Sequence, residues 1–288
     1  MSARTHGRRR RPTPYDERAM DGSAARSAVK LTATAVDRLR PRRRGVVVLI
    51  YHRVGGASGL SIDLAPRVFE EQIAELAGRA TTLDDAMQAL ESAAPPPVDP
   101  VVVTFDDGTD DLAEVAMPVL ARYRVPATVY LATDFIETGR EFPHAGRPLS
   151  WAGVRDMVST GLVTVGSHTH THALLDRTTT AETTVELDRS IGLIGDRLGI
   201  ESRHFAYPKA LPGTPEADAA VRLRFRSAAL AGTRPNRYGR TDPYRLARSP
   251  IQASDGLRWF RRKVAGGMAF EDTVRRTLGR WRYADATT

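Results

Sequence analysis

The stretch from Val101 to Gly108 constrains the fold more than any other part of the chain. It begins with the run Val-Val-Val-Thr-Phe, which predicts a strand buried on both faces. Asp106 and Asp107 follow at once, and Gly108 then offers a conformation in which the chain can turn. This order places both acids at the carboxyl end of a core strand, where α/β proteins hold ligands and catalytic groups. The alternative is an ordinary turn, in which the two acids only cap the next helix.

A second short β run, residues 163–166, leads into three histidines that alternate with threonines. Three of the seven histidines of the chain stand within residues 168–172, which argues against an incidental polar loop. His168 and His172 would share one face of a helical turn, whereas His170 would join them on one face of an extended chain. Periodicity therefore leaves the choice of ligands open. Two imidazoles and one carboxylate are the usual protein ligands of a catalytic zinc or related ion, with a position left for water.

Short apolar runs alternate with helical patterns through the rest of the chain. Seven strands alternating with helices predict a parallel sheet, closed or nearly closed. The predicted strands are residues 46–51, 101–105, 126–132, 163–166, 204–207, 226–230 and 246–251. The predicted helices are residues 66–78, 82–90, 110–123, 151–160, 180–198 (with Thr180 as the cap) and 215–223, and residues 133–149 are predicted to form a loop.

Together the two motifs resemble those of the polysaccharide deacetylases, carbohydrate esterases that carry a NodB homology domain. Thr104 to Gly108 matches Thr-Phe-Asp-Asp-Gly, and Ser167 to His172 contains His-Ser/Thr-x-x-His. The resemblance covers about residues 46–267, including Tyr51 to Val54, which resembles the end of the first strand in many members. It implies an α/β fold, an incomplete (β/α) barrel with about seven parallel strands.

The resemblance also implies roles for four side chains. Asp107, His168 and His172 would bind one divalent metal ion, expected to be zinc, with cobalt, nickel or manganese as alternatives. The ion would polarise an acetyl carbonyl and lower the pKa of a bound water, and Asp106 would be the general base. The implied activity is a metal-dependent deacetylase that hydrolyses acetyl groups, chiefly N-acetyl, from a sugar, an oligosaccharide or a polysaccharide.

In the third motif the sequence departs from the family pattern. Many members have Arg-x-Pro-Tyr there, and the arginine orients the base, but this chain has Ala206 at the arginine position. The backbone N–H of Lys209 is still expected to hold the oxyanion. Tyr207 and Arg53 are predicted to line the sugar site, although core packing explains Tyr207 equally well.

The family's late Leu-x-His, which supplies a general acid, is also absent from the sequence. His52 ends the first core strand, and we predict it as the acid, although a lone histidine at such a position is more often structural. The two departures favour an alternative, a carbohydrate-binding pseudoenzyme that retains the fold and the metal site. The intact Asp106 argues against it.

The basic charge of the chain is concentrated at its amino-terminal end. Residues 1–45 hold thirteen Lys and Arg against four acids, and the whole chain carries +8, so residues 46–288 sum to −1. We predict a basic segment over 1–45, disordered or partly helical, and a catalytic domain over 46–288. The arginine clusters suggest an anionic membrane surface as a partner, with a solvated leader as the alternative. A nucleic-acid partner is disfavoured, because the near-neutral body shows no known nucleic-acid-binding signature.

The sequence contains neither cysteine nor an apolar run of the roughly 20 residues that a membrane span requires. No apolar region follows the first arginines, so a normal secretory signal is not predicted. We therefore expect a cytoplasmic or membrane-associated protein without disulfides.

Overall fold

The computed structural model describes residues 30–33, 43–92, 95–270 and 273. Within these residues, seven parallel strands form a closed barrel in sequence order, and the last strand pairs with the first. The predicted α/β barrel is confirmed. The strands are β1 Val47–Tyr51, β2 Val101–Phe105, β3 Ala127–Leu131, β4 Val163–Ser167, β5 His204–Ala206, β6 Ser227–Ala231 and β7 Leu246–Pro250.

Helices cover the outside of the barrel. Those of the described residues are α1 Pro66–Ala74, α2 Leu83–Glu91, α3 Met117–Tyr123, α4 Thr133–Thr138, α5 Trp151–Ser159, α6 Thr180–Leu198, α7 Pro215–Arg224 and α8 Gly256–Val264. A π-helical turn, Leu112–Ala116, leads into α3, and short 3-10 turns occupy Pro208–Ala210, Pro243–Arg245 and Ala253–Asp255.

Two local predictions are wrong. The predicted loop over residues 133–149 begins with α4, a helix of six residues that is too short to show a periodic pattern. The cap of α6 is Thr179, not Thr180, because the Thr179 hydroxyl accepts the N–H of Glu182. The Glu182 carboxylate in turn accepts the N–H of Thr179, so the two residues form a capping box.

The strand register brings the ends of β1 and β2 to one level. Val47 pairs with Val101, and Tyr51 pairs with Phe105. His52 and Asp106 each follow the last residue of their strand, so they emerge side by side at the carboxyl end of the barrel. All five residues of both strands are buried, as expected for strands between helices and a barrel interior.

Helix α2 closes the opposite end of the barrel. Its apolar residues recur at helical spacing, which gives the helix one apolar face. They form one cluster with interior side chains of the strands, among them Val48, Tyr130 and Ala206. The four α2 residues in this cluster are Leu83, Ala86, Met87 and Leu90. Because a helix packs against this end, the polar residues that follow the strands lie at the other, carboxyl end of the barrel.

Residues 30–33 are the only part of the predicted basic segment before residue 43 that the structure describes, and they are helical. Lys30 lies against α8, where its Nζ is 2.7 Å from Asp255 Oδ1, and Lys263 Nζ is 2.7 Å from Asp255 Oδ2. The predictions for residues 1–29 and 34–42 lie outside the described residues. Where the chain is described, none of its helices combines the length and apolar character of a membrane span.

Candidate metal centre and active site

The two carboxylates after β2 are separated by the backbone conformation of Asp107. Asp107 has a φ of 72° and Gly108 a φ of 97°, so the chain leaves the strand direction at once. The left-handed conformation is energetically unfavourable for any residue other than glycine. Residues that adopt it concentrate at functional sites. The turn leaves Asp106 facing the barrel interior and brings Asp107 to the histidines after β4.

Asp106 is held by a buried arginine that sequence reasoning missed. Arg248 of β7 donates from its two terminal nitrogens to the two Asp106 oxygens, at 2.6 and 2.8 Å. It also donates to Thr104 Oγ1 at 3.1 Å, and its guanidinium carbon lies 5.1 Å from the centre of the Tyr130 ring. Arg248 is 0% exposed, so this fork of hydrogen bonds is shielded from solvent.

The ion pair fixes the charge of Asp106. Burial alone would raise the pKa of this carboxyl, but the positive charge of Arg248, together with nearby His168, outweighs it and lowers the pKa to about 2. Asp106 is therefore ionised throughout the neutral range. The arginine that Ala206 replaces in the third motif is therefore not missing from around Asp106: a guanidinium comes from β7 instead of β5.

Arg248 left a signal in the sequence that could have been used. Leu246 and Arg248 are two residues apart on one strand, so both side chains point to the same side of the sheet. Leu246 packs in the barrel interior with Tyr130, so Arg248 must face the interior as well. A charged residue facing a barrel interior needs a partner of opposite charge.

The histidine loop after β4 sets two imidazoles beside Asp107. His168 Nδ1 lies 2.7 Å from the carbonyl oxygen of Ala206, which can only accept, so this nitrogen carries the proton and Nε2 is free to bind a metal. His172 has a φ of 64°, and its ring meets that of His168 edge to face with centroids 5.0 Å apart. His170 turns to α4 instead, where its Nδ1 lies 2.9 Å from Thr133 Oγ1.

Three side chains form a set that fits a metal ion. One ligand atom each from Asp107, His168 and His172 can be chosen so that all lie within 4.8 Å of one another. Asp107 Oδ1 lies 3.7 Å from His168 Nε2 and 3.4 Å from His172 Nε2. Ligand atoms about 2.1 Å from a tetrahedral zinc ion stand about 3.4 Å apart, so these separations suit such an ion.

The protonation states of His172 and Asp107 favour a cation. Burial lowers the pKa of His172 to about 4, which leaves its imidazole neutral at pH 7. The pKa of Asp107 is also lowered: burial raises it, but the neighbouring His172, His52 and His168 outweigh that effect. A carboxylate and a neutral imidazole are the forms that bind metals.

His52 lies beside this set of ligands. Its pKa is lowered first by burial, and the charges of Asp107 and Asp106 oppose that effect, so all three groups interact. Its Nδ1 is buried and has no hydrogen-bond partner among the described residues. The structure thus places this imidazole at the site, where it is neutral in the neutral pH range.

The three predicted substrate residues take different positions. Lys209 is exposed and has a φ of 55°, and its charge is close enough to lower the pKa of His172. Tyr207 does not line the site, because its side chain packs outside the barrel and its O–H donates to Asp218 of α7 at 2.6 Å. The guanidinium of Arg53 donates to the carbonyls of Pro143 and His144, so it braces a loop.

Comparison with known proteins finds similarity to polysaccharide deacetylases. Residues 93–227 match the family described as Polysaccharide deacetylase. The chain is 26% identical over 164 residues to YxkH of Bacillus subtilis, covering 56% of this chain and 55% of that protein. It is 34% identical over 70 residues to a poly-beta-1,6-N-acetyl-D-glucosamine N-deacetylase of Staphylococcus aureus, covering 24% and 23%. The chain thus spans about half, or less, of the length of these relatives.

A solved structure extends the likeness to most of the barrel. IcaB from Ammonifex degensii superimposes with a TM-score of 0.67 at 25% identity, covering 77% of this chain and 98% of that one. The motifs after β2 and β4 lie inside the segment that matches the family. In its barrel, its motif residues and the match over residues 93–227, the chain is similar to the polysaccharide deacetylases.

Proposed function

We propose that the chain is a metal-dependent hydrolase that removes N-acetyl groups from a carbohydrate. The observation that carries the proposal is the arrangement of Asp107, His168 and His172 beside an Asp106 that is held ionised by Arg248. A site for a cation next to a fixed, non-coordinating carboxylate is what hydrolysis of an amide by an activated water requires.

The metal, when bound by Asp107, His168 and His172, would supply Lewis-acid polarisation of the acetyl carbonyl and a water of lowered pKa. Zinc is the first candidate, because two imidazoles and one carboxylate form a common catalytic zinc set, with cobalt, nickel and manganese as alternatives.

Asp106 is the proposed general base. Both of its oxygens already accept hydrogen bonds from Arg248, but each retains capacity to accept another, so it can take a proton from an attacking water. Arg248 keeps the carboxylate in one orientation during this transfer. The backbone N–H of Lys209 is the proposed donor to the oxyanion that forms on the acetyl group.

His52 is the proposed acid for the departing amine. The lowered pKa leaves its imidazole neutral at pH 7, so His52 is not a protonated acid at the start of the reaction. It must gain a proton within the reaction cycle, and the one that Asp106 removes from water is available beside it. Passing that proton to the sugar nitrogen returns both residues to their starting states.

The proposed substrate class is an N-acetylated oligosaccharide or polysaccharide. Support comes from the similarity to the Staphylococcus aureus enzyme, which is named for poly-beta-1,6-N-acetyl-D-glucosamine.

The pseudoenzyme alternative loses one of its two arguments, because Arg248 supplies the cation thought to be missing. An anionic membrane surface stays a proposed partner of the basic residues 1–45, and binding to vesicles with and without an anionic lipid would test it.

Mass spectrometry of acetylated sugars tests the proposed activity. The chain is loaded with Zn²⁺ or Co²⁺ and incubated with β-1,4- and β-1,6-linked N-acetylglucosamine oligomers. We expect products that have lost the mass of one or more acetyl groups, and none with the D106N variant. Metal-loaded protein that leaves every oligomer intact would count against the activity and restore the binding-protein alternative.

A further inference from the structure

Glu186 of α6 holds the loop that carries the two metal-binding histidines. Its Oε2 accepts the backbone N–H groups of His170 and Thr171, at 2.9 and 2.8 Å. Its Oε1 accepts the hydroxyl of Thr171 at 2.7 Å. One carboxylate thus takes three hydrogen bonds from two consecutive residues that lie between His168 and His172.

The loop requires such support because its backbone is strained. Thr169 has a φ of 63° and His172 a φ of 64°, both in the left-handed region that residues with side chains rarely adopt. A segment of five residues with two such conformations persists only where its surroundings hold it. The orientation of both imidazoles depends on these two residues keeping their conformations.

The carbonyl side of the same loop is bound by a different element. The N–H of Asp134 in α4 donates to the carbonyl of His170 at 2.8 Å, and that of Thr133 donates to the carbonyl of Thr169 at 3.4 Å. Glu186 therefore satisfies N–H groups of the loop while α4 satisfies its carbonyls, and together they fix its position.

Glu186 stands on a well-anchored element. Helix α6 spans 19 residues, with a capping box at its start and Gly199 as its left-handed end. Ser190, one turn beyond Glu186, has its hydroxyl 2.7 Å from that of Ser167, the last residue of β4. The position of the helix relative to the start of the histidine loop is therefore fixed.

We propose that Glu186 is a positioning residue of the metal centre, which presets the histidine loop so that His168 and His172 converge with Asp107. This inference rests on the proposed metal site but not on the substrate. The hydrogen bonds of Glu186 within the described residues go to His170 and Thr171, so its effect on the ligands passes through these two residues. Partners that hydrogen-bond a metal ligand directly typically change metal affinity about 10–100-fold when removed, and Glu186, which acts through the loop backbone, is expected at the lower end of that range.

The test compares metal binding by Glu186→Ala with that by Asp188→Asn. Asp188 is an exposed acid on the same helix that pairs with Arg224, away from the loop, so it controls for loss of a charge on α6. Zn²⁺ affinity is measured by competition with a chromogenic chelator, and the visible spectrum of the Co²⁺-loaded protein reports the ligand geometry. Thermal unfolding of the metal-free protein shows whether the fold is retained.

We expect Glu186→Ala to weaken Zn²⁺ binding at least about tenfold and to alter the Co²⁺ spectrum, with an unfolding midpoint close to that of the wild type. Asp188→Asn should match the wild type in affinity and spectrum. Affinity within about twofold of the wild type, with an unchanged spectrum, would overturn the proposal.

A milder variant decides the case in which Glu186→Ala fails to fold. Thr171→Val removes only the hydroxyl bond to Oε1, and we expect a smaller change of affinity and spectrum in the same direction. A folded Thr171→Val protein that is unchanged in both would overturn the proposal. Wild-type protein that binds metal but deacetylates nothing would refute the function and leave this inference standing, whereas failure to bind metal would refute both.

Discussion

Replacing Arg248 with methionine should remove the activity of Asp106 without touching any metal ligand. Methionine is similar in length and apolar, so the variant keeps most of the packing against Tyr130 and loses the charge and the hydrogen bonds. Asp106 would then be a buried carboxylate without its cation. Burial raises the pKa of a carboxyl by as much as 3–5 units, enough to protonate Asp106 near pH 7. A protonated Asp106 cannot act as a base, so kcat should fall about 10²–10⁴-fold.

The same change should destabilise the metal-free protein in a pH-dependent way. Breaking a buried ion pair by removing one partner costs about 3–5 kcal/mol. In the wild type, the pKa of Asp106 is lowered from 3.8 to about 2, which contributes roughly 2–3 kcal/mol to the free energy of unfolding above pH 4. This contribution is lost as the pH falls from about 4 to 2. In the variant the pKa is raised, so the stability difference between the two proteins should be largest at neutral pH and shrink towards pH 3.

The assay is denaturant unfolding followed by tryptophan fluorescence at several pH values, together with kcat on an acetylated sugar oligomer. A double variant, Arg248→Met with Asp106→Asn, provides the control because it removes both charges. We expect it to recover part of the stability lost in the single variant and to be no less active than Asp106→Asn alone. Wild-type kcat in R248M, or a stability loss that does not depend on pH, would refute the assigned role of Arg248.

The remaining predictions test the separate roles of Asp106, Asp107, His52 and Asp255. Asp106→Asn should abolish turnover and leave the metal content unchanged, whereas Asp107→Asn should also lower the metal content; equal loss of metal in elemental analysis would contradict this division. His52→Gln should lower kcat with little effect on metal content or unfolding, and a fully active variant would assign the acid elsewhere. Asp255→Asn should lower the free energy of unfolding at pH 7 by about 3–5 kcal/mol, because Lys263 and Lys30 lose the carboxylate between them. Since the pKa of Asp255 is lowered, that difference should fade below pH 4, and a constant difference would argue against the ion pairs.

The sequence predicts β1, β2 and β3 well because each is a short, largely apolar run, as expected for a strand between helices and a barrel interior. The paired carboxylates and the histidine cluster were equally visible, because polar groups that follow apolar strands stand out. The local sequence does not predict helix α4, because this helix depends on hydrogen bonds to another part of the chain. The N–H groups of Thr133 and Asp134 donate to the histidine loop, and no local pattern reports such contacts.

The direction in which side chains point caused the other errors. On β5, Ala206 faces the interior, so its neighbours Phe205 and Tyr207 face outwards and pack with α7. The position of Tyr207 near a motif favours a substrate contact and core packing equally, and the alternation of the strand decides for packing. Arg248 was overlooked for the converse reason, because motif comparison looks for an arginine at one position and cannot see one that arrives from another strand.

The register explains how β7 can supply that arginine. Arg248 pairs with Val48, and Val48 pairs with Val102, four residues before Asp106 on β2. Its Cα therefore lies below the carboxylate, and only a long side chain that rises along the barrel axis can reach it. Interior space allows this path, because Ala206 is small and Gly166 leaves room for the Tyr130 ring, to which a Cβ at residue 166 would come within 2.6 Å. Interior side chains of a narrow barrel converge. An arginine on either β5 or β7 can therefore reach Asp106, provided that the interior residue on the other strand is small.

Backbone strain at the site shows why its final geometry cannot be obtained from local sequence. Five residues with side chains adopt left-handed conformations in three loops at the carboxyl end of the barrel: Asp107, Thr169, His172, Lys209 and Ala210. None of these residue types specifies such a conformation by itself, and glycine would adopt it at lower cost. The loops after β2 and β4 keep their shape through bonds from elements far away in the chain, such as those from α4 and α6 to the histidine loop. The motifs therefore determine which groups can bind a metal, while the surrounding barrel determines that they meet at one point.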